Sequence, residues 1–171
     1  GMSKRTVTVN SASKTYSVTG WRVGWAICAD EEVTVGIRRV HDFMTIGAAA
    51  PLQEAVALAL NLPNSYYKEL AAGYQARRDL MLDILRETDF DYVSPQGAYY
   101  VMCHYPDVGI QDDTDFSFFL SKEIGITTVP GSPFYHDSEM GRKFVRFAFP
   151  KTLPFLETVR ERLARVSEFR K

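Results

Sequence analysis

The hydrophobic and polar positions of this chain follow two periods in turn. Residues 6–9, Thr6-Val7-Thr8-Val9, are β-branched throughout, the pattern of a buried strand of the parallel type, covered on both faces. A polar stretch rich in Ser and Thr follows, and Gly20 and Gly24 lead into a second apolar run, Trp25-Ala26-Ile27-Cys28-Ala29. Asp30 is placed to cap a helix running to about residue 45, with Val33, Ile37 and Val40 at helical spacing. After a break at 47–50, Pro51 opens a second helix over 52–60, whose Ala, Leu and Val content predicts burial. Pro63-Asn64-Ser65 stops it and caps a long helix over 66–88, with Tyr67, Leu70, Ala71, Tyr74, Met81 and Leu85 on one stripe. Arg77, Arg78 and Asp79 interrupt that stripe, so the helix is expected to change surroundings midway.

The later half reads as shorter elements. A strand is predicted over 99–103 after Pro95-Gln96-Gly97, and a helix from Asp113 or Thr114 with Phe116, Phe119 and Leu120 on one face. Gly125 fits the C′ position that ends that helix. Strands are expected over 126–129 and 144–149, and Thr152 caps a last helix with Leu156, Val159, Leu163 and Val166 facing inward. Two parts emerge: the end of an α/β sheet over residues 1–47, and an α+β unit from about residue 65. The opening strand has no neighbours encoded before it, so its cover must come from a partner chain or from a longer protein of which this is a piece.

Composition narrows the function classes. The 171 residues are 46% hydrophobic and 24% charged, which excludes a disordered chain. A net charge of −1 argues against a broad nucleic-acid footprint, so no nucleic-acid partner is expected. No apolar run approaches the ~18 residues of a membrane span, and no apolar core follows Lys4 and Arg5 as in a signal peptide. Membrane association is therefore not expected. Cys28 and Cys103 lie far apart, each in an apolar strand-like run, and read as reduced core thiols of a cytoplasmic protein. His41, His104 and His136 lack metal-ligand spacing, and no metal is expected.

The chemistry concentrates between Ser11 and Trp25. Lys14 sits in a loop after a strand, flanked by the hydroxyls of Ser11 and Ser13, and Arg22 follows between Gly20 and Gly24. An amine that can form a Schiff base, hydroxyls and a guanidinium fork are what a phosphate-bearing carbonyl cofactor requires. Taken alone, a lysine and arginine at this spacing can equally be a solvated loop lysine and a surface arginine. Arg146 is the second candidate. It lies among alternating apolar residues, Val145-Arg146-Phe147-Ala148-Phe149, and must either pair with a structural carboxylate or receive one from a ligand.

Ser11, Ser13 and Lys14, followed by Thr19-Gly20-Trp21-Arg22-Val23-Gly24-Trp25, resemble the lysine signature of the class I/II aminotransferases, in the pyridoxal 5′-phosphate fold-type I superfamily. The resemblance implies that Lys14 is the catalytic, cofactor-linked lysine, and that Ser11 and Arg22 hold the cofactor phosphate. Ser13 is a lesser candidate, its position varying in the family among hydroxyl and small residues. Arg146 matches the arginine that binds the substrate α-carboxylate, and Tyr99, in Pro95-x-Gly97-Ala98-Tyr99, matches a strand entering the site. A core tyrosine remains the alternative for Tyr99. Residues 45–57 resemble the segment that crosses to the partner subunit, so Ile46 and Gly47 would border the partner's site in a homodimer; an ordinary helix–helix joint is the alternative. The loop Val129-Pro130-Gly131-Ser132-Pro133-Phe134 also resembles the family, which often has glycine where Tyr135 stands.

The implied fold is α/β and α+β: the end of the fold-type I large-domain sheet over 1–47, a connecting helix over 48–64, and the C-terminal small domain over 65–171. The implied reaction is transamination between an amino acid and a 2-oxo acid. A fold-type I lyase is the alternative among enzymes, and a truncated non-catalytic module the alternative outside them. The resemblance runs the length of this chain but matches the later part of the family's. The ring-stacking aromatic and the aspartate that pairs with the ring nitrogen belong to the earlier part, and no residue is assigned to either role. The chain alone is expected to bind the cofactor weakly or not at all.

Overall fold

The computed structural model describes residues 2–170, and the backbone separates into two units that divide between Leu70 and Ala71. In the first, β1 (Val7–Ser11) pairs antiparallel with β2 (Gly24–Cys28), Val7 opposite Cys28 and Ser11 opposite Gly24. Between them lie the single turn α1 (Ala12–Thr15) and a 3-10 turn, Thr19–Trp21. Gly24 permits the pairing: a Cβ there would stand 2.6 Å from the Asn10 carbonyl oxygen, far inside van der Waals contact. The helix α2 (Glu31–Met44) begins where the sequence places it, the Asp30 carboxylate accepting the Val33 N–H at 3.0 Å. It is followed by α3 (Ala50–Ala59), with Pro51 in its first turn, and by the start of α4 (Asn64–Arg86). The buried nucleus of this unit is Ala12, Val23 and Val56, with Tyr16, Val18, Trp25, Ala48 and Leu52 packed around it.

Several expectations for this unit are corrected. β1 is antiparallel rather than of the parallel type, with β2 its one strand partner among the described residues; its exposure along its length agrees with the absence of neighbours encoded before it. α3 buries Val56 but leaves Leu58 75% exposed, so its Ala-rich composition does not mark a buried helix here. The α2 stripe Val33, Ile37 and Val40 is likewise exposed. Cys28 is half-buried rather than a core thiol, whereas Cys103 is fully buried; both are free.

The second unit is built on one antiparallel sheet of order β3-β4-β6-β5. Its strands are β3 (Asp91–Tyr92), which the sequence pattern did not predict, β4 (Tyr100–His104), β5 (Val129–Pro130) and β6 (Phe144–Ala148). The strand expected over 126–129 thus forms only at its end. Val101 and Cys103 on β4, and Val145 and Phe147 on β6, point into a core shared with Met81, Leu82, Ile84 and Leu85 of α4. The core continues into α5 (Asp113–Phe119) and α6 (Leu153–Leu163) through Phe116, Leu120, Leu156 and Leu163. By strand alternation, Tyr100, Met102 and Arg146 lie on the other face, with Met102 and Val129 directly across from Arg146. Asp112 caps α5, a π turn over Leu120–Ile124 prolongs it, and Gly125 ends it in the left-handed region at φ 78°. Thr152 caps α6. Among the described residues no helix is long and apolar enough to cross a membrane, and no cluster of metal-ligating side chains occurs.

Candidate functional site

The loop from Ser11 to Arg22 is closed by its own hydroxyls. Ser11 Oγ caps α1 by accepting the Ser13 N–H at 3.1 Å, and the Ser11 and Ser13 hydroxyls are 2.7 Å apart. Thr19 ties the loop together. Its hydroxyl donates to the Ser13 carbonyl at 3.1 Å and accepts from Lys14 Nζ at 3.4 Å, while its carbonyl accepts from Arg22 Nη1 at 3.0 Å. Arg22 is held in the left-handed region at φ 56°, a conformation sparsely populated outside glycine and asparagine, and its side chain turns back over the loop. The structure therefore brings Ser11, Ser13, Lys14 and Arg22 around one turn. Ser13 is buried; Lys14 and Arg22 face outward.

The far end of that turn is anchored by tyrosines. Tyr66 donates to the Thr15 carbonyl at 2.6 Å, and the Tyr16 and Tyr67 hydroxyls are 2.8 Å apart. The hydrogen bond with Tyr67, and secondarily burial, pushes the Tyr16 phenol up to about 12. Ile46 and Gly47 lie after α2. Ile46 has φ 62° and is 87% exposed, an outlying backbone for a β-branched residue that turns its side chain outward. Together with Arg22, Trp25 and Gln53 they line an open concavity of about 740 Å³.

In the second unit, Arg146 sits under two aromatic rings, its Cζ 4.7 Å from the Tyr100 centroid and 4.5 Å from that of Phe134. Its Nε is buried without a hydrogen-bond partner, and no ion pair among the described residues includes it. The structural ion pair considered from sequence is therefore not formed among these residues, and the guanidinium retains the capacity to take an anion. Tyr99 is half-buried, its ring 6.3 Å from Tyr74 and 5.5 Å from Tyr100, so it joins Arg146 through Tyr100. A cavity of about 330 Å³ beside α6 includes neither residue. Burial pushes the Cys103 thiol well above its usual range, which makes it inert. Thr19, Tyr100 and Phe134 escaped the sequence reading as site residues.

With this arrangement in view, comparison with known proteins is direct. The family profile described as aminotransferase class I and II matches residues 1–163. The kynurenine–oxoglutarate transaminase of Dictyostelium discoideum is 36% identical over 98% of this chain and 43% of its own length. The methionine aminotransferase of Escherichia coli K12 is 32% identical over 94% of this chain and 41% of its own. Among solved structures, the N-succinyldiaminopimelate aminotransferase of Mycobacterium tuberculosis superposes with a TM-score of 0.87 at 33% identity, covering 96% of this chain and 42% of that one. The chain belongs to the class I and II aminotransferase family, and its mixed α/β architecture is that of the fold-type I enzymes. It spans about 43% of the length of the curated relative from Dictyostelium.

Proposed function

We propose that this chain forms part of a pyridoxal 5′-phosphate-dependent aminotransferase that moves an amino group between an amino acid and a 2-oxo acid. The observation that carries the reading is the Thr19 bridge, which holds an amine and a guanidinium on one turn beside two hydroxyls. That donor set fits the cofactor: Ser11, Ser13 and Arg22 would bind the phosphate, and Lys14 would take the carbonyl carbon. When bound, the cofactor supplies the electron sink that makes the substrate Cα–H acidic. Displaced by the substrate's amine, the freed Lys14 amine would move the substrate Cα proton, as general base and acid in turn. Arg146 receives the substrate carboxylate in the plane of its fork, and Tyr99 lines the approach. Residues 1–47 would belong to the cofactor-binding domain, 48–64 to a connector and 65–171 to the small domain.

A homodimer is part of the proposal, with Ile46 and Gly47 at the partner's site. The outward-turned Ile46 and the exposed Phe43 and Met44 support it. Free thiols at Cys28 and Cys103 support a cytoplasmic setting. The test is borohydride reduction in the presence of millimolar pyridoxal 5′-phosphate, followed by peptide mapping. Modification is expected to concentrate on Lys14, with a visible absorbance band that Lys14→Ala abolishes. Labelling spread evenly over Lys4, Lys68, Lys122 and Lys151, or a band that survives in Lys14→Ala, would favour a non-catalytic module.

A further inference from the structure

Asp113 is a carboxylate that the proposed reaction does not use and that the fold nevertheless buries. It opens α5 and is 1% exposed. It is not needed as the helix cap, because the neighbouring Asp112 carboxylate already accepts the N–H groups of Thr114 and Asp115, at 2.9 and 3.2 Å. Burying a charge is costly unless its oxygens are used. Asp113 Oδ2 accepts the backbone N–H of Ser132 at 2.6 Å, across 19 residues of sequence.

Ser132 begins the 3-10 turn Ser132–Phe134. Within it, Phe134 N–H bonds the Gly131 carbonyl at 3.0 Å, and the Phe134 ring lies over the Arg146 guanidinium. Phe134 is 49% exposed, so where its ring sits depends on the backbone of its turn as well as on packing. The opposite side of the turn is pressed against the chain. A Cβ on Gly131 would stand 2.6 Å from the Gly141 oxygen and 2.7 Å from that of Phe144, and one on Gly141 would stand 2.5 Å from Ser132 Cα. The turn is thus wedged between the Gly141–Phe144 backbone and one charged acceptor. A neutral contact, Thr128 Oγ1 to Ser117 Oγ at 3.2 Å, joins α5 to the chain just before β5 but does not reach the turn.

We propose that Asp113 is a positioning residue for Arg146: by fixing Ser132 it sets Phe134 over the guanidinium and so defines the plane in which a ligand carboxylate can meet the buried Nε. The ligand half of this statement rests on the reading of Arg146 given above; the positioning half does not. Both are tested in the full chain with ¹⁵N-labelled arginine, the Arg146 Nε–H resonance being assigned by its loss in Arg146→Lys. In the absence of ligand, Phe134→Ala displaces this resonance by removing the ring current. Asp113→Ala is expected to produce more than half of that displacement. Asp113→Asn, whose amide oxygen still accepts the Ser132 N–H, is expected to leave the resonance near its original position. On titration with pyruvate, the resonance is expected to shift saturably, with affinity at least tenfold weaker in Asp113→Ala and within threefold of the parent in Asp113→Asn. An Asp113→Ala resonance that stays at the parent position, or an Asp113→Asn resonance displaced as far as that of Asp113→Ala, overturns the proposal. If pyruvate moves nothing in the parent chain, the carboxylate role of Arg146 fails while the ring-current comparison still decides Asp113. Should Asp113→Ala not fold, Asp113→Ser, one atom too short to reach Ser132, carries the same expectations.

Discussion

The two units spend their hydrophobic residues differently. From Ala71 onward, one continuous cluster runs from Met81 to Val166, through the sheet and both of its later helices. Up to Leu70, the buried nucleus is Ala12, Val23 and Val56, while Val9, Ile27, Val40, Phe43, Met44, Ile46 and Leu58 are exposed. Order around Lys14 is instead supplied by polar contacts: the Ser11–Ser13 pair, the Thr19 bridge and the tyrosine hydroxyls. One unit is held by apolar burial, and the other fixes its chemistry through hydrogen bonds while presenting apolar surface outward. Exposed apolar patches of that kind mark surfaces built to be covered.

The sharpest way to break this contrast is to remove a core side chain. Leu85→Ala, at a fully buried position, is expected to cost about 2–5 kcal/mol in denaturant unfolding followed by the near-UV signal of the C-terminal aromatics. A loss below 1 kcal/mol would mean that the core is not what holds that unit. The next effect falls on the polar side. Arg22→Ala is expected to weaken pyridoxal 5′-phosphate binding by about 1.5–3 kcal/mol in whatever assembly binds it, the scale of a lost charge-assisted hydrogen bond. Equal titrations for parent and variant would remove Arg22 from the site.

The tyrosine anchor gives a pH signature. The Tyr16 phenol is raised from 10.0 to about 12, first by its hydrogen bond with Tyr67. The folded state holds that proton more tightly than the unfolded chain. The stabilisation is therefore complete below pH 10 and is lost as pH rises toward 12. Thermal melts across that window are expected to fall less steeply in Tyr16→Phe than in the parent. The smallest effect is expected at Phe43, which is 94% exposed: Phe43→Ser is expected to change stability by no more than about 0.5 kcal/mol, yet to reduce self-association in light scattering. A loss of stability comparable to that of Leu85→Ala would show Phe43 to be part of a core.

The same contrast explains what was legible in the sequence. Local signals gave local structure: Asp30 before α2, Pro51 in α3, Asp113 at the start of α5, Gly125 after its π turn and Thr152 before α6 all stand where their chemistry places them, although the α5 cap itself is Asp112. The turn carrying Ser11, Ser13, Lys14 and Arg22 was also readable, because its functional groups lie within a dozen residues of one another. Burial was not legible in the first unit. The pattern Thr6-Val7-Thr8-Val9 records a strand that suits cover, and no pattern says whether the cover lies in the same chain. Nor could the surroundings of Arg146 be read, since Tyr100 and Phe134 reach it only through the strand order β4-β6-β5. Asp113 was visible as a helix start, but its bond to Ser132 depends on a loop that the strand pairing has to place first.

Gly20 and Gly24 frame Arg22 in the same signature yet stand under different constraints. A Cβ on Gly20 would meet nothing within 4 Å, whereas one on Gly24 would collide with the Asn10 carbonyl. The signature thus combines residues proposed for reactivity with one that the backbone pairing requires. A descendant that abandoned the chemistry would be free to change Lys14 and Arg22 while Gly24 persisted, because the hairpin needs it whatever the hairpin carries. By this reasoning a chain that keeps Gly24 but lacks Lys14 would share the hairpin without the proposed chemistry.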